Sequence, residues 1–141
     1  MNKNILLVED SPTDAAILIA AFEEVGYAGE LKVAINGLEA IVLLEQLTNS
    51  PHPDWPQLIL LDLNLPIKGG LEVLETIKSN PDWMNIPTVI LSSSSSPKDV
   101  EDSYQRHANA YIAKPRELQH YEAIANSLCN FWFEVAQPSS F

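Results

Sequence analysis

The chain alternates short apolar runs with longer segments in which apolar residues recur every three or four positions. Four runs are apolar on consecutive residues, a pattern typical of strands covered on both faces, and they span residues 5–8, 58–61, 88–91 and 110–113. A fifth run, residues 30–34, mixes charged and apolar residues and is predicted to lie nearer a sheet edge. Strands that alternate with helical segments predict an α/β domain with a five-stranded, mainly parallel sheet.

The segments between these runs predict four helices. The first opens at Ser11, which can cap it, with Pro12 in the first turn and Asp14 near the positive helix end. The second follows Gly37, the third runs from about residue 71 to 80, and the fourth is a short helix between residues 96 and 107. The inward faces expected for the first two helices comprise Ile17, Ala20, Ala21 and Val25, and Leu38, Ile41, Val42, Leu44 and Leu47.

A heptad-like seam about 20 residues long marks the last segment. Its members alternate spacings of three and four, and they are Leu118, Tyr121, Ala125, Leu128, Trp132 and Val135. We expect the part up to Leu128 to pack on the core. A helix rises about 1.5 Å per residue, so residues 131–135 are predicted to extend beyond the core and to form a partner surface.

Composition narrows the classes of function. The 141 residues suit one domain, and 8 Lys and Arg against 19 Asp and Glu give a net charge of −11, which argues against nucleic acid or anionic membrane as a partner. No apolar stretch reaches the roughly 18 residues of a membrane span, and no signal peptide opens the chain. With Cys129 as its single cysteine, the protein is expected in the cytoplasm.

Polar residues at the ends of the apolar runs indicate the chemistry. In parallel α/β sheets the ligand site forms at the carboxyl ends of the strands, where this sequence places Glu9, Asp10, Asp62, Ser92 and Lys114. Crowded carboxylates call for a cation, and hard oxygen ligands suit Mg²⁺. With Mg²⁺ and the Lys114 ammonium offsetting charge, one carboxylate could attack a phosphoryl group, and the Ser92 hydroxyl could bond a phosphoryl oxygen.

These residues resemble the receiver domains of two-component response regulators, over roughly residues 4–125. The matching segments are residues 5–10, 60–66 with Gly70, 89–93 and 111–115. The resemblance implies a doubly wound (βα)5, flavodoxin-like fold that comprises one receiver domain over residues 1–141. Its core would span about residues 4–128, and residues 129–141 would form an extended C-terminal helix and tail.

The resemblance also implies a role for each site residue. Asp62 would be the phosphoacceptor, Lys114 would contact the phosphoryl group, and Ser92 and Tyr111 would be the switch pair. Glu9, Asp10, Asp62 and the backbone carbonyl of Asn64 would hold Mg²⁺. By the same analogy the bond between Lys114 and Pro115 would be cis. The phosphoryl group would come from a sensor histidine kinase or a phosphotransfer protein, and no substrate turnover would follow.

A narrower resemblance concerns the stand-alone regulators that partner bacterial phytochromes. It rests on the form of the acceptor loop at residues 62–66, the insertion at residues 51–56, and Phe131 with Trp132. In that group the final helix helps to form a homodimer, so a dimer with contacts at Tyr121, Leu128 and Trp132 is expected. The chain ends at Phe141 without an output domain, which agrees with a shuttle or adaptor.

Two other classes of function remain as alternatives. One is a receiver-like dimerisation or scaffold module that is never phosphorylated. The other is a Mg²⁺-dependent phosphohydrolase. Asn64 stands two residues after Asp62, where such an enzyme needs a second aspartate, and an amide cannot act as a general acid or base. The intact acidic pair, acceptor and lysine favour the phosphorylated regulator.

Overall fold

Five parallel strands form one sheet in the computed structural model, which describes residues 3–139. The strands are β1 (Ile5–Val8), β2 (Leu31–Ala34), β3 (Leu58–Leu61), β4 (Thr88–Ser92) and β5 (Ala110–Ala113). Their order in the sheet is β2-β1-β3-β4-β5, so β2 and β5 lie at its edges. The predicted parallel α/β fold is therefore confirmed, as is the edge position of the second strand. The expectation that residues 110–113 are covered on both faces is wrong, because β5 is also an edge strand and none of its residues is fully buried.

Helices cover both faces of the sheet. They are α1 (Pro12–Glu24), α2 (Gly37–Thr48), α3 (Gly70–Ser79), α4 (Pro97–Gln105) and α5 (Gln119–Cys129), followed by a C-terminal π-helix (Asn130–Val135). One core lies between the sheet and the pair α1 and α5, and the other lies between the sheet and the pair α2 and α3. Among the described residues, no helix is both long and apolar enough to cross a membrane.

The register of β1 and β3 positions the carboxylates of the site. Val8 pairs with Leu61, so Glu9 and Asp62 follow their strands side by side. The Asp62 N–H donates to the Val8 carbonyl at 3.1 Å, which holds the two strand ends together. The sheet order reverses here, because β1 lies between β2 and β3, and this is where α/β sheets open a crevice for a ligand.

Side-chain caps fix the start of the helices that follow β1 and β2. The Ser11 hydroxyl accepts the N–H of Asp14 at 3.2 Å, as expected, and the Asn36 side chain accepts the N–H of Glu39 at 2.8 Å. Each cap satisfies a backbone donor that the first helical turn leaves open. Because α1 starts only four residues after β1 ends, its first turn stays at the same edge of the sheet.

The inward faces of α1 and α2 were predicted only in part. On α1 the buried residues are Ala15, Leu18, Ala21 and Phe22, whereas Ala20 is exposed and Ile17 only half-buried. On α2, Ile41 and Leu44 are buried, but Leu38 and Val42 are exposed. With 3.6 residues per turn, Leu38 and Val42 lie about 60° and 100° around the helix from Ile41. The apolar stripe is thus wider than the arc that contacts the sheet.

The last helix changes its geometry at Asn130. Tyr121, Ala125 and Leu128 are buried as expected, but Leu118 is 68% exposed because it precedes the first turn of α5. In the π-helix the Ala136 N–H donates to the Phe131 carbonyl at 2.7 Å, a bond that spans five residues. The wider turn shifts the faces of the side chains, so the heptad-like seam does not continue through residues 130–135.

The π-helix folds back on the domain instead of extending freely. The Phe133 ring stacks on Tyr27 with centroids 6.1 Å apart, and Lys3 Nζ lies 3.1 Å from Glu134 Oε1. Trp132 also packs against the core below α1 and α5. The prediction that this segment reaches beyond the core is therefore wrong for these side chains, because aromatic surface is buried against Tyr27.

Two other expectations need correction. Tyr121, proposed as a dimer contact, is buried in its own domain because α5 packs on α1 and the sheet. Leu128 is largely buried as well, but it still lines the groove between β5 and α5. The bond between Lys114 and Pro115 is trans, not cis. Trans is the lower-energy isomer by about 0.5–1 kcal/mol for a bond to proline, and Lys114 reaches the site without the cis form.

Candidate functional site

The Lys114 ammonium lies at the centre of the site. Its Nζ is 2.7 Å from Glu9 Oε1, 2.8 Å from Asp14 Oδ2 and 2.9 Å from Asp62 Oδ2. These contacts join the ends of β1, β3 and β5 with the first turn of α1. The structure thus brings together Glu9, Asp62 and Lys114, which the sequence placed at the carboxyl ends of three strands.

Burial shields the charged groups of Lys114, Glu9 and Asp62 from water, so these charges interact strongly with one another. The side chains of Lys114, Glu9 and Asp62 are only 7%, 2% and 7% exposed. Burial raises the pKa of Glu9 to about 7. The hydrogen bond from Lys114 lowers this pKa, and repulsion from Asp62 raises it further. Burial alone would lower the pKa of Lys114, but its bonds to three carboxylates outweigh burial and raise it.

Three carboxylates of the site could hold a metal ion. One oxygen from each of Glu9, Asp10 and Asp62 can be chosen so that all three lie within 4.8 Å of one another. Glu9 and Asp62 are buried, whereas Asp10 is exposed and leaves the site open to water. Oxygen ligands with room for water fit a hard divalent cation. The three predicted carboxylate ligands are therefore close enough to share one ion.

The loop after β3 holds Asp62 in place. Asp62 Oδ1 accepts the N–H of Asn64 at 3.0 Å, and the Gly70 N–H donates to the Leu63 carbonyl at 3.0 Å. A Cβ built on Gly70 would lie 2.4 Å from both the Asp62 carbonyl oxygen and Leu63 Cα, so a side chain there would displace the loop. Gly70 thus allows α3 to begin directly against the strand end that carries Asp62.

Ser92 ends β4 next to the strand that carries Lys114. Its side chain is buried, and its hydroxyl oxygen accepts the N–H of Ser94 at 3.3 Å. The backbone N–H of Lys114 donates to the Ser92 carbonyl at 2.7 Å. The predicted switch hydroxyl therefore lies at the same edge of the sheet and holds the start of the loop between β4 and α4.

Tyr111 connects this loop with the far end of α4. The Tyr111 hydroxyl donates to the Ser94 carbonyl at 2.7 Å, and its backbone N–H donates to the Tyr104 hydroxyl at 3.1 Å. Ser94 also bonds the Asp99 side chain in the first turn of α4. Tyr111 therefore holds both ends of α4. No sequence pattern indicated its contact with Tyr104.

Asp14 is the site residue that sequence reasoning missed. The sequence pattern places it only near the positive end of α1, yet its carboxylate accepts a hydrogen bond from the Lys114 ammonium. The short connection between β1 and α1 could have indicated this role. Because α1 begins four residues after β1 ends, its first turn must lie near the strand end that forms the site. The pattern of strand ends alone could not show which side of that turn faces the site.

Comparison with known proteins agrees with this arrangement. The family model of the response regulator receiver domain matches residues 5–126. The chain belongs to the response regulator receiver family. The predicted resemblance is thereby confirmed, and so is the flavodoxin-like receiver fold with five parallel strands and five helices.

Relatives of this receiver chain include other regulators of similar length. It is 41% identical over 133 residues to the response regulator Rcp1 of Synechocystis sp., covering 94% of this chain and 90% of Rcp1. It is 34% identical over 128 residues to the probable methanogenesis regulatory protein FilR2 of Methanothrix harundinacea, covering 91% and 82% of the two chains.

Solved structures show the same receiver fold. The Mn²⁺-bound form of Rcp1 matches with a TM-score of 0.86 and 40% identity, over 98% of this chain and 99% of that one. The phosphorylated cyanobacterial phytochrome response regulator RcpA matches with a TM-score of 0.88 and 38% identity, over 99% and 100% of the two chains. The similarity therefore includes the C-terminal segment beyond residue 126.

Proposed function

We propose that this response regulator is a single-domain member of a two-component phosphorelay that accepts a phosphoryl group on Asp62. The observation that carries the proposal is the Lys114 ammonium, 2.9 Å from Asp62 Oδ2, beside three carboxylates that can share a metal ion. The phosphorylated structure of the similar protein RcpA supports the same chemistry. The activity is acceptance of one phosphoryl group, without turnover of a separate substrate.

The proposed transfer is a displacement at phosphorus. A carboxylate oxygen of Asp62 forms the new P–O bond. The bond from phosphorus to the donor breaks, and its electron pair leaves with a histidine imidazole or, for acetyl phosphate, with acetate. Mg²⁺, when bound by Glu9, Asp10, Asp62 and the Asn64 carbonyl, would offset charge on the phosphoryl oxygens. Lys114 supplies positive charge from the end of β5, at the same edge of the sheet.

We propose that Ser92 and Tyr111 couple phosphorylation of Asp62 to a change in the surface formed by α4. Ser92 is buried at the end of β4, and its hydroxyl can exchange the Ser94 N–H for a phosphoryl oxygen. The Tyr111 hydroxyl is bonded to the Ser94 carbonyl, so a shift of that loop changes the contacts of both ends of α4. The two conformations would differ in these contacts, and phosphorylation would shift their populations.

The proposed donor is a sensor histidine kinase or a phosphotransfer protein, with a phytochrome-type sensor as the preferred class of kinase. Similarity to RcpA, described as a phytochrome response regulator, supports this choice over 99% of the chain. The net charge of −11 disfavours nucleic acid and anionic membrane surfaces as partners. We infer a cytoplasmic location from the single cysteine, Cys129, which cannot form an internal disulfide.

The test of this function is phosphorylation with a small donor. Acetyl phosphate with Mg²⁺ is expected to add one phosphoryl group per chain, and chelation of Mg²⁺ with EDTA is expected to abolish the adduct. The cation is required because the negatively charged donor is otherwise repelled by the carboxylates of the site. Intact-mass spectrometry at neutral pH measures the adduct. Failure of labelling in a protein shown to bind Mg²⁺ would favour the scaffold module.

We also propose that the regulator forms a homodimer through the outer surface of β5, α5 and the π-helix. This surface, which we call the β5-α5 face, comprises Ala110, Ile112, Ala123, Ile124, Phe131 and Trp132. Phe131 is 50% exposed at its end, and Leu128 also lines this face although little of it is exposed. Tyr121 is buried and does not line it. A contiguous apolar surface at a sheet edge is a common site of self-association.

Phe131→Glu is expected to convert the dimer into a monomer, because a carboxylate buried at an apolar interface lacks a partner. Light scattering coupled to size exclusion would then give 15.6 kDa for the variant and twice that mass for the wild type. Leu38→Glu is the matched control, since Leu38 is exposed on α2 across the sheet. A Phe131→Glu protein that stays dimeric would exclude this face.

A further inference from the structure

Asp14 is a fourth carboxylate of the site, and neither the metal site nor the proposed transfer uses it. It lies in the first turn of α1, and its Oδ2 is 2.8 Å from Lys114 Nζ. The three carboxylates that can share a metal ion are Glu9, Asp10 and Asp62. The contact of Asp14 with the site is therefore through Lys114.

The donors of Lys114 are fully used in this structure. A lysine ammonium has three N–H donors, and three different carboxylates lie within 2.9 Å of its nitrogen. The side chain is only 7% exposed, which leaves little access for water. A phosphoryl oxygen that bonds Lys114 must therefore take the place of a carboxylate oxygen.

Burial decides which carboxylate leaves most easily. Glu9 and Asp62 have side chains that are 2% and 7% exposed, and a buried carboxylate that loses its donor keeps the full cost of desolvation. The Asp14 side chain is 35% exposed, so water can replace the lysine as its donor. Asp14 is the partner that Lys114 can give up at the lowest cost.

We propose that Asp14 is a positioning residue that occupies one donor of Lys114 in the unphosphorylated protein and yields it to a phosphoryl oxygen. This inference rests on the proposed function of Asp62. Asp14 holds the ammonium in place through an exchangeable bond, and it competes with the phosphoryl group for the same donor. Removing its charge therefore favours the form in which a phosphoryl-like anion is bound.

The test uses beryllium fluoride with Mg²⁺, because this phosphoryl mimic binds a carboxylate without being hydrolysed. Asp14→Asn is expected to bind beryllium fluoride about three- to tenfold more tightly than the wild type. The gain comes from removing the partly exposed Asp14 carboxylate, which competes with the mimic for Lys114. Titration followed by ¹⁹F NMR measures the affinity. Glu23→Gln removes the same charge from the exposed last turn of α1 and is expected to leave the affinity unchanged.

The outcomes separate this inference from the function on which it rests. If the wild type is labelled by acetyl phosphate but Asp14→Asn binds the mimic as tightly as, or less tightly than, the wild type, the role of Asp14 is wrong. A merely structural Asp14 would give weaker binding on substitution, so a gain is diagnostic. If the wild type neither binds the mimic nor accepts a phosphoryl group, the proposed function fails first. Equal gains in Asp14→Asn and Glu23→Gln would assign the effect to net charge.

Discussion

Asp62→Asn is expected to abolish the phosphoryl adduct while the protein remains folded. An amide nitrogen or oxygen does not replace the carboxylate as nucleophile, so labelling by acetyl phosphate falls below detection. Folding is expected to survive, because the substitution removes one negative charge from a cluster in which Glu9 and Asp14 share a single ammonium. Intact mass measures the adduct, and circular dichroism measures the fold.

The control for this variant is Asp10→Asn measured beside it. Asp10 is exposed and belongs to the acidic cluster, but it makes no bond to Lys114. Asp10→Asn is expected to require more Mg²⁺ for labelling and still to form the adduct at high Mg²⁺. An Mg²⁺-dependent adduct that persists in Asp62→Asn would place the acceptor elsewhere and contradict the assignment.

Lys114→Met is expected to lower the free energy of unfolding by about 3–5 kcal/mol in the absence of divalent cations, since it leaves two buried carboxylates without their counter-ion. Urea denaturation followed by tryptophan fluorescence, with EDTA at pH 8, measures the loss. Lys32→Met is the matched control. Lys32 has a 59% exposed side chain, and its removal is expected to leave the midpoint nearly unchanged.

The loss in Lys114→Met is expected to depend on pH through Glu9. Burial raises the pKa of Glu9 from 4.5 to about 7, so the folded wild type binds more protons than the unfolded chain over that interval. The contribution of Glu9 to the free energy of unfolding therefore falls as pH rises through this range. Without Lys114 the fall is steeper, and the deficit at pH 8 exceeds that at pH 5. The double variant Glu9→Gln/Lys114→Met should recover stability at pH 8. A deficit independent of pH would contradict the electrostatic cause.

Much of the fold could be predicted because three of its strands, β1, β3 and β4, are buried on both faces. Such strands have no polar alternation, so their consecutive apolar residues stand out, as in Leu58–Leu61. The bounds from this pattern agree with the structure within one residue at each strand. The candidate site followed from the same step, because the residues after each run had to meet at one edge.

The parts that sequence could not predict depend on what packs against each helix. Apolar residues on α2 are spaced for one wide face, but the sheet covers only part of it and leaves Leu38 and Val42 exposed. Asp14 and Tyr104 are polar residues on helices. Each has its role because its side chain reaches a residue of β5 or of the segment directly after it, Lys114 for Asp14 and Tyr111 for Tyr104. No periodicity marks such a contact.

The C-terminal segment shows a different limit. Its spacing from Leu118 to Val135 fits one continuous helix, but the chain changes to wider turns at Asn130 and buries Phe133 against Tyr27. A pattern of 3.6 residues per turn cannot indicate a change of period when aromatic residues occupy several adjacent positions. Long-range stacking with a residue more than 100 positions away decides the geometry here.

The bond between the Tyr104 hydroxyl and the Tyr111 N–H also protects the open edge of the sheet. β5 is an outer strand, and unpaired N–H groups on an outer strand invite a strand from another molecule to add to the sheet. At Tyr111 that donor is already taken, at 3.1 Å. A partner that approaches this edge must displace a side chain of α4 before it can pair with the backbone. The edge therefore resists sheet extension and fibril-like stacking, and it favours partners that bind through side chains.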